Sequence, residues 1–266
     1  MRVMPTLKLF HQLFIRAAIG ISILLFVSAC TTTGGGSKQI TKAQKSRADR
    51  AMVHTQLARG YLQQDQYATA KTQLERALSI DPTHSDSNYV MALLLLKLEQ
   101  NREAEQFFAK AVASDQHNSP AAHDFGVFLC QIGKEREAVE YFEIAVSNPL
   151  FDKAQLSYMR AGECLLKIKD PLAEQYLKRA LSINPRLRPA LYQLALLKYE
   201  AASYMSARAY IERYFAITKP QPGSLLLAYK IESQLNAADV AESYRSKLLI
   251  EFPGSKEAGS VRQGRN

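Results

Sequence analysis

From Tyr89 to Leu98 the chain reads YVMALLLLKL. Wound as a helix, that run is apolar on nearly every side. A helix at the surface of a water-exposed domain normally buries one stripe and keeps the other face polar. The ten residues are also about half of the ~20 that a bilayer crossing needs. Protein rather than lipid must therefore cover the second face. From about residue 51 onward the apolar positions keep the helical period in segment after segment, and no convincing strand alternation interrupts them.

The segments repeat. Leu57-Ala58-x-x-Tyr61, Ala70, Leu74, Ala77 and Pro82 return 34 residues later as Met91-Ala92-x-x-Leu95, Ala104, Phe108 and Ala111. They return again as Phe125-Gly126-x-x-Leu129, Ala138, Phe142 and Ala145. After one inserted residue the pattern aligns with Ala161, Cys164, Ala173, Leu177, Ala180 and Pro185. A fifth copy carries Leu194, Ala195, Ala207, Ile211, Tyr214 and Pro220, and a looser sixth Ala228, Ile231, Ala241, Leu248 and Pro253. This resembles the tetratricopeptide pattern. Small residues allow helix A and helix B to cross closely, a bulky residue fills the gap, and Pro stops helix B because it cannot extend the hydrogen-bond ladder. Repeat two departs from it with Gln116 in place of the terminal Pro, and repeat five with Lys198 and Tyr214. The expected fold is all-α: a superhelix of about six helix-turn-helix units near 51–84, 85–118, 119–153, 154–187, 188–221 and 222–253, then a tail over 254–266.

One such unit cannot bury its apolar face alone, so neighbours stack and coil, and the A helices line the concave side. In repeat two, counted from Ser85, Ala92 and Leu95 serve the internal packing, while Tyr89, Leu93 and Leu96 fall at positions five, nine and twelve, facing the hollow. The same rule adds Arg59, Leu62 and Gln63 from repeat one and His123 and Val127 from repeat three. With Lys97 on the rim, these nine residues form the expected protein-binding groove, suited to an amphipathic or extended peptide segment. Burying ~200 Å² of apolar surface there would contribute about 5 kcal/mol before ordering costs. Two other readings fit the same residues. A tight superhelix would use the leucines as core, or a helix over Ile40 to Ala51 would fold across them.

The first thirty residues have a different character. Arg2, Lys8 and Arg16 precede an uncharged run, AAIGISILLFVS, from Ala17 to Ser28. That is the anatomy of a signal peptide rather than of a membrane span. The junction Val27-Ser28-Ala29-Cys30 resembles a bacterial lipobox, in which small residues fit the peptidase and the thiol takes the lipid. Residues 1–29 are thus expected to be removed, and Cys30 to carry diacylglyceryl and N-acyl chains, which together anchor stably. Thr31 rather than Asp after the Cys resembles an outer-membrane address, with the domain facing the periplasm. Residues 30–50 read as a tether: TTTGGGS is flexible, and Lys38, Lys42, Lys45, Arg47 and Arg50 oppose Asp49 alone.

Losing Arg2, Lys8 and Arg16 takes the formal charge from +9 to near +6. That excess is scattered, with no basic stripe interleaved with aromatics, so nucleic acid is not an expected partner. No phosphate loop, nucleophile elbow, HExxH or SxxK is present, and neither an enzyme activity nor a small-molecule substrate or cofactor is expected. Cys130 and Cys164 lie on the A helices of consecutive repeats. Packed helices stand 8–10 Å apart and a disulfide needs Cα atoms within about 7 Å, so a bond and a pair of buried thiols both fit. His123 shares a helix face with Cys130, but no further ligands sit near, and no metal site is expected.

The lipobox, the six repeats, FGVFLCQIGKEREAVEYFEIAVSNPLF from Phe125 to Phe151, SLLLAYKIESQL from Ser224 to Leu235 and EFPGS from Glu251 to Ser255 together resemble the pilotin family of type IV pilus biogenesis and stability lipoproteins. The resemblance implies a binding role: an acylated protein of the outer membrane that holds the pilus secretin subunit and promotes its localisation and multimerisation. A tetratricopeptide lipoprotein serving β-barrel assembly or peptidoglycan enzymes would share the anchor and the fold.

Overall fold

The computed structural model describes residues 41–264. The expected signal peptide, Cys30 and the expected tether up to residue 40 lie outside the described residues. Within them the chain is thirteen α-helices with no strand. Six antiparallel pairs follow one another: α1 (Lys42–Gln63) with α2 (Tyr67–Ile80), α3 (Ser85–Lys97) with α4 (Asn101–Ser114), α5 (Ser119–Gln131) with α6 (Glu135–Ser147) and α7 (Ala154–Lys167) with α8 (Leu172–Ile183). The last two are α9 (Arg188–Glu200) with α10 (Tyr204–Phe215) and α11 (Pro222–Gln234) with α12 (Ala238–Glu251), after which comes the short α13 (Lys256–Arg262).

Two boundaries differ from the sequence reading. The expected linker to residue 50 is helical from Lys42, and α1 runs unbroken to Gln63. Residues 42–51 therefore extend helix A instead of folding back over the inner face. No Gly or Pro lies between Lys38 and Arg59 to stop the helix. At the other end, the expected tail contains α13. Ser255 caps it by accepting from the Ala258 amide at 3.1 Å, and Ala258 and Val261 bury against Leu225 and Leu248. This seven-residue helix covers the last repeat, as terminal caps of solenoids do.

Small residues set the crossing of A on B. Ala58, Ala92, Ala195 and Ala228 on the A helices, and Ala70, Ala104, Ala138, Ala173, Ala207 and Ala241 on the B helices, are buried. Leu74, Phe108, Phe142, Leu177 and Ile211 fill the space beside them. In repeats three and four the A-helix residue is Gly. A Cβ on Gly126 would lie 2.9 Å from Phe142 Cε1 and 3.0 Å from the Ala138 carbonyl, and one on Gly162 would lie 2.7 Å from Leu177 Cγ. This corrects the alignment of repeat four, which put Ala161 at the crossing. Helix α7 has 14 residues where α5 has 13, and α8, which begins after Pro171, has 12 where α6 has 13. One residue gained inside α7 is returned at the start of α8.

Each A-to-B turn closes in the same way. Backbone amides of Gln66, Gln100, Lys134, Asp170, Ser203 and Ala237 donate to the carbonyls of Tyr61, Leu95, Leu129, Leu165, Lys198 and Glu232. The residue before each donor has positive φ: Asp65, Glu99, Gly133, Lys169, Ala202 and Asn236. That is the Schellman ending, which favours Gly at the left-handed position, yet only repeat three has it. B helices of the first four repeats end in side-chain turns, where Asp81, Asp115, Asn148 and Asn184 accept from the amide two residues on. Asp115 therefore ends repeat two without the Pro that Gln116 replaces.

Between repeats, packing is continuous. Phe108 of α4 stacks on Phe125 of α5 at 5.4 Å, and Phe125 meets Tyr141 at 4.3 Å. Cys130 and Cys164 form a disulfide with Cα atoms 5.8 Å apart, tying α5 to α7. Lys167 Nζ donates to the Cys130 carbonyl at 2.8 Å. Farther along, Arg208 of α10 forms a two-pronged ion pair with Glu232 of α11, whose side chain is 4% exposed.

Two substitutions separate close approach from backbone strain. Gly162→Ala should lower the unfolding free energy by about 1–3 kcal/mol despite the higher helix propensity of Ala, because Leu177 must move. Ala202→Gly should raise it by up to ~1 kcal/mol by relieving a left-handed non-Gly residue. Urea titrations read both signs.

Candidate functional site

The nine residues expected to form a groove divide into three groups. Tyr89 is not on an open floor: it is 8% exposed. Its hydroxyl donates to Asp124 Oδ2 at 2.5 Å, its ring lies 6.3 Å from Phe108, and the Arg59 guanidinium covers it at 5.5 Å. Arg59 in turn pairs with Asp86. Burial, with the nearby Asp124 carboxylate, holds the Tyr89 phenol well above its ordinary pKa, so it remains a neutral donor. Leu62, Leu93, Leu96 and Val127 are half-buried against the first core cluster. Gln63 and Lys97 are exposed. The greasy helix α3 is thus largely answered from within: Phe108 of its own repeat, with Arg59 and Asp124 of the neighbouring repeats, covers its second face.

His123 is half-buried too. Its Nδ1 sits 2.7 Å from Ser157 Oγ, and its ring packs 5.7 Å from Phe142 and 6.1 Å from Phe151. Among the described residues no group of three or more His, Cys, Asp or Glu is placed to hold a metal.

The open groove is at the other end of the array. A cavity of about 600 Å³ lies between α9, α11 and α13. Its floor is Tyr192, Leu196 and Tyr199 of α9 with Leu226, Leu227 and Lys230 of α11, and α13 forms one wall. Counted from Arg188, the α9 residues stand at positions five, nine and twelve; counted from Pro222, Leu226 and Lys230 stand at five and nine. These are the positions that Tyr89, Leu93 and Leu96 hold in repeat two. The rule was readable in repeats five and six as well, but the apolar run of α3 drew attention to repeat two, where Tyr89 is buried. Gly223 supplies the second signal. With no side chain at position two, nothing fills the space above Tyr192, whose hydroxyl would be 3.3 Å from a Cβ there. Repeat two has Asp86 at the same place, and Asp86 holds Arg59 over Tyr89.

Two tyrosines keep the groove amphipathic. Tyr192 leans on Tyr214 at 5.8 Å and Tyr199 on Tyr204 at 5.7 Å. Burial is the main cause that raises both phenols above their ordinary pKa, so each presents a neutral hydroxyl beside an apolar ring. Lys230 and Glu200 line the same groove without an ion pair among the described residues. The arrangement offers a hydrophobic trough with charged side chains at its edge, Lys230 and Glu200 among them, which fits a peptide segment.

Comparison with known proteins agrees with this architecture. A tetratricopeptide repeat family profile matches residues 61–144, which makes the chain a repeat protein of the kind that serves as a protein-interaction scaffold. The type IV pilus assembly protein PilF of Pseudomonas aeruginosa is 28% identical over 244 residues, 91% of this chain and 96% of that protein. The solved structure of Pseudomonas aeruginosa PilF superimposes with a TM-score of 0.67 at 27% identity, covering 82% of this chain and 99% of that one. The crystal structure of PilW, a widely conserved type IV pilus biogenesis factor, matches with a TM-score of 0.62 at 30% identity, over 79% of this chain and 97% of that one. The chain belongs to this family of tetratricopeptide proteins of type IV pilus biogenesis.

The surroundings of His123 give a pH signature. Burial lowers its pKa from the ordinary 6.5, against the opposite pull of Asp124. The folded chain therefore binds this proton less readily than the unfolded chain. Its contribution to stability is full above pH ~6.5 and is lost as pH falls through the lower folded value. Urea midpoints should fall between pH 7 and 5, and His123→Gln should flatten that decline. Parallel profiles for the two proteins would contradict the assignment.

Proposed function

We propose that this chain is a pilotin: an outer-membrane lipoprotein, acylated at Cys30, that binds a segment of the type IV pilus secretin and promotes its localisation and ring assembly. The lipid supplies the address and the repeats supply the grip. Neither step needs a cofactor, since nothing is chemically changed. The observation that carries this reading is the groove at Tyr192, Leu196, Tyr199, Leu226 and Lys230, in a chain that belongs to a pilus-biogenesis family. A secretin segment with an apolar side chain for Leu196 and Leu226, and a carboxylate for Lys230, would fill it. Anchoring at the outer membrane, facing the periplasm, follows from the lipobox and Thr31 in this reading.

Leu196→Asp should weaken capture of the secretin from detergent-solubilised membranes by about tenfold or more, since it places a charge on the trough floor. Far-UV circular dichroism should stay that of the parent. Unchanged capture would remove the groove from the function. Recovery of β-barrel assembly proteins or murein enzymes in place of secretin would reassign the partner. Cys30→Ser should leave binding intact and leave the secretin in the inner-membrane fraction.

A further inference from the structure

Helix α1 has an outward face that the array does not use. Ala51, Thr55 and Ala58 are buried on its inner side. On the opposite side, at helical spacing, come Arg50, Val53 and Leu57, with Tyr61 at the edge, half-buried against the core. Val53 is 56% exposed and Leu57 47%. A shallow trough of about 420 Å³ runs along Val53, Gln56, Leu57, Gly60, Tyr61 and Gln64, deepened where a Cβ on Gly60 would meet nothing. Toward its N-terminus the helix is basic: Lys45, Arg47 and Arg50 are exposed, oppose Asp49 alone, and make no ion pair among the described residues. One helix thus carries unpaired cations that run into a bare apolar stripe.

We propose that this face of α1 lies on an anionic lipid surface. The cations would meet headgroup phosphates, and Val53 and Leu57 would enter the boundary between headgroups and acyl chains, as the apolar faces of interfacial helices do. Position in the chain favours lipid over another occupant. Residues 31–41 extend at most about 40 Å, so a lipid on Cys30 keeps α1 at the membrane whatever path the tether takes. A second copy of the chain would bring Arg50 on this face and Lys45 and Arg47 to either side of it, with no complementary acidic stripe. The contact would hold the array at a defined angle, and so set where the groove at Leu196 is presented. In that respect the inference rests on the anchoring proposed above.

The test does not depend on the anchor. The mature chain, from residue 30 with Cys30→Ser, is mixed with sedimentable vesicles containing phosphatidylglycerol, or with vesicles of phosphatidylcholine alone. Binding is expected to the anionic vesicles only and should be screened by salt. It should fall more than about tenfold in Lys45→Glu/Arg47→Glu/Arg50→Glu, at roughly a fivefold factor per cation, and comparably in Val53→Asp/Leu57→Asp. All five positions are exposed, so both variants should retain the parent helicity. No binding to anionic vesicles, equal binding to neutral ones, or indifference to both variants would overturn the inference. A dimer in light scattering that Val53→Asp/Leu57→Asp dissolves would instead assign the face to self-association. Secretin capture lost in that variant without any vesicle binding would assign it to the protein partner. Because the chain tested carries no lipid, none of these failures bears on acylation of Cys30. Conversely, vesicle binding without secretin capture by the parent chain would leave this inference standing alone.

Discussion

Helix A lies against helix B in each repeat only where neither carries much side chain. Ala or Gly meets Ala across the crossing, and one bulky residue, Leu74, Phe108, Phe142, Leu177 or Ile211, closes the gap beside it. Interiors are packed too densely to absorb even one added carbon without shifting atoms. At Gly162 that carbon would sit 2.7 Å from Leu177. Once the crossing is fixed, each remaining apolar position has its direction assigned. Some face the next repeat and build the continuous core, and positions five, nine and twelve of helix A face the hollow.

What differs along the array is whether the neighbours fill that hollow. In repeat two they do: Asp86 holds Arg59 above Tyr89, and Asp124 accepts its hydroxyl. In repeats five and six Gly223 leaves room, and the trough over Tyr192, Leu196 and Tyr199 stays open, with α13 as its far wall. The array is stiffened on both sides of the change, by the Cys130–Cys164 disulfide in the middle and the Arg208–Glu232 pair near the end. A buried carboxylate is costly unless matched as closely as Glu232 is. That cost makes the α10–α11 contact specific, and it fixes the helix that carries Leu226 and Lys230.

The repeat period made the fold legible, because the small residues at the crossing and the bulky residue between them recur in sequence as they do in space. The same features located the pairs and most of their ends. Repeat four was misread by one residue because a longer α7 and a shorter α8 offset one another. The tail at 254–266 hid α13, whose only marks are the cap at Ser255 and two apolar residues, Ala258 and Val261. The position of the groove was half legible. Positions five, nine and twelve line the cavity of repeats five and six, but finding the open hollow required knowing which one its neighbours leave empty. That depends on Gly223 and on pairs such as Arg59–Asp86, which are separated in sequence by 27 residues.

The groove of repeats five and six is the surface proposed to hold the partner. A photo-crosslinking residue in place of Leu196 or Leu226, introduced into the full chain in cells that assemble pili, tests it at single-residue resolution. An adduct with the secretin from both positions, and none from the outward-facing Ile250, is the expected result. Adducts from position 93 or 250 with none from 196 and 226 would contradict it.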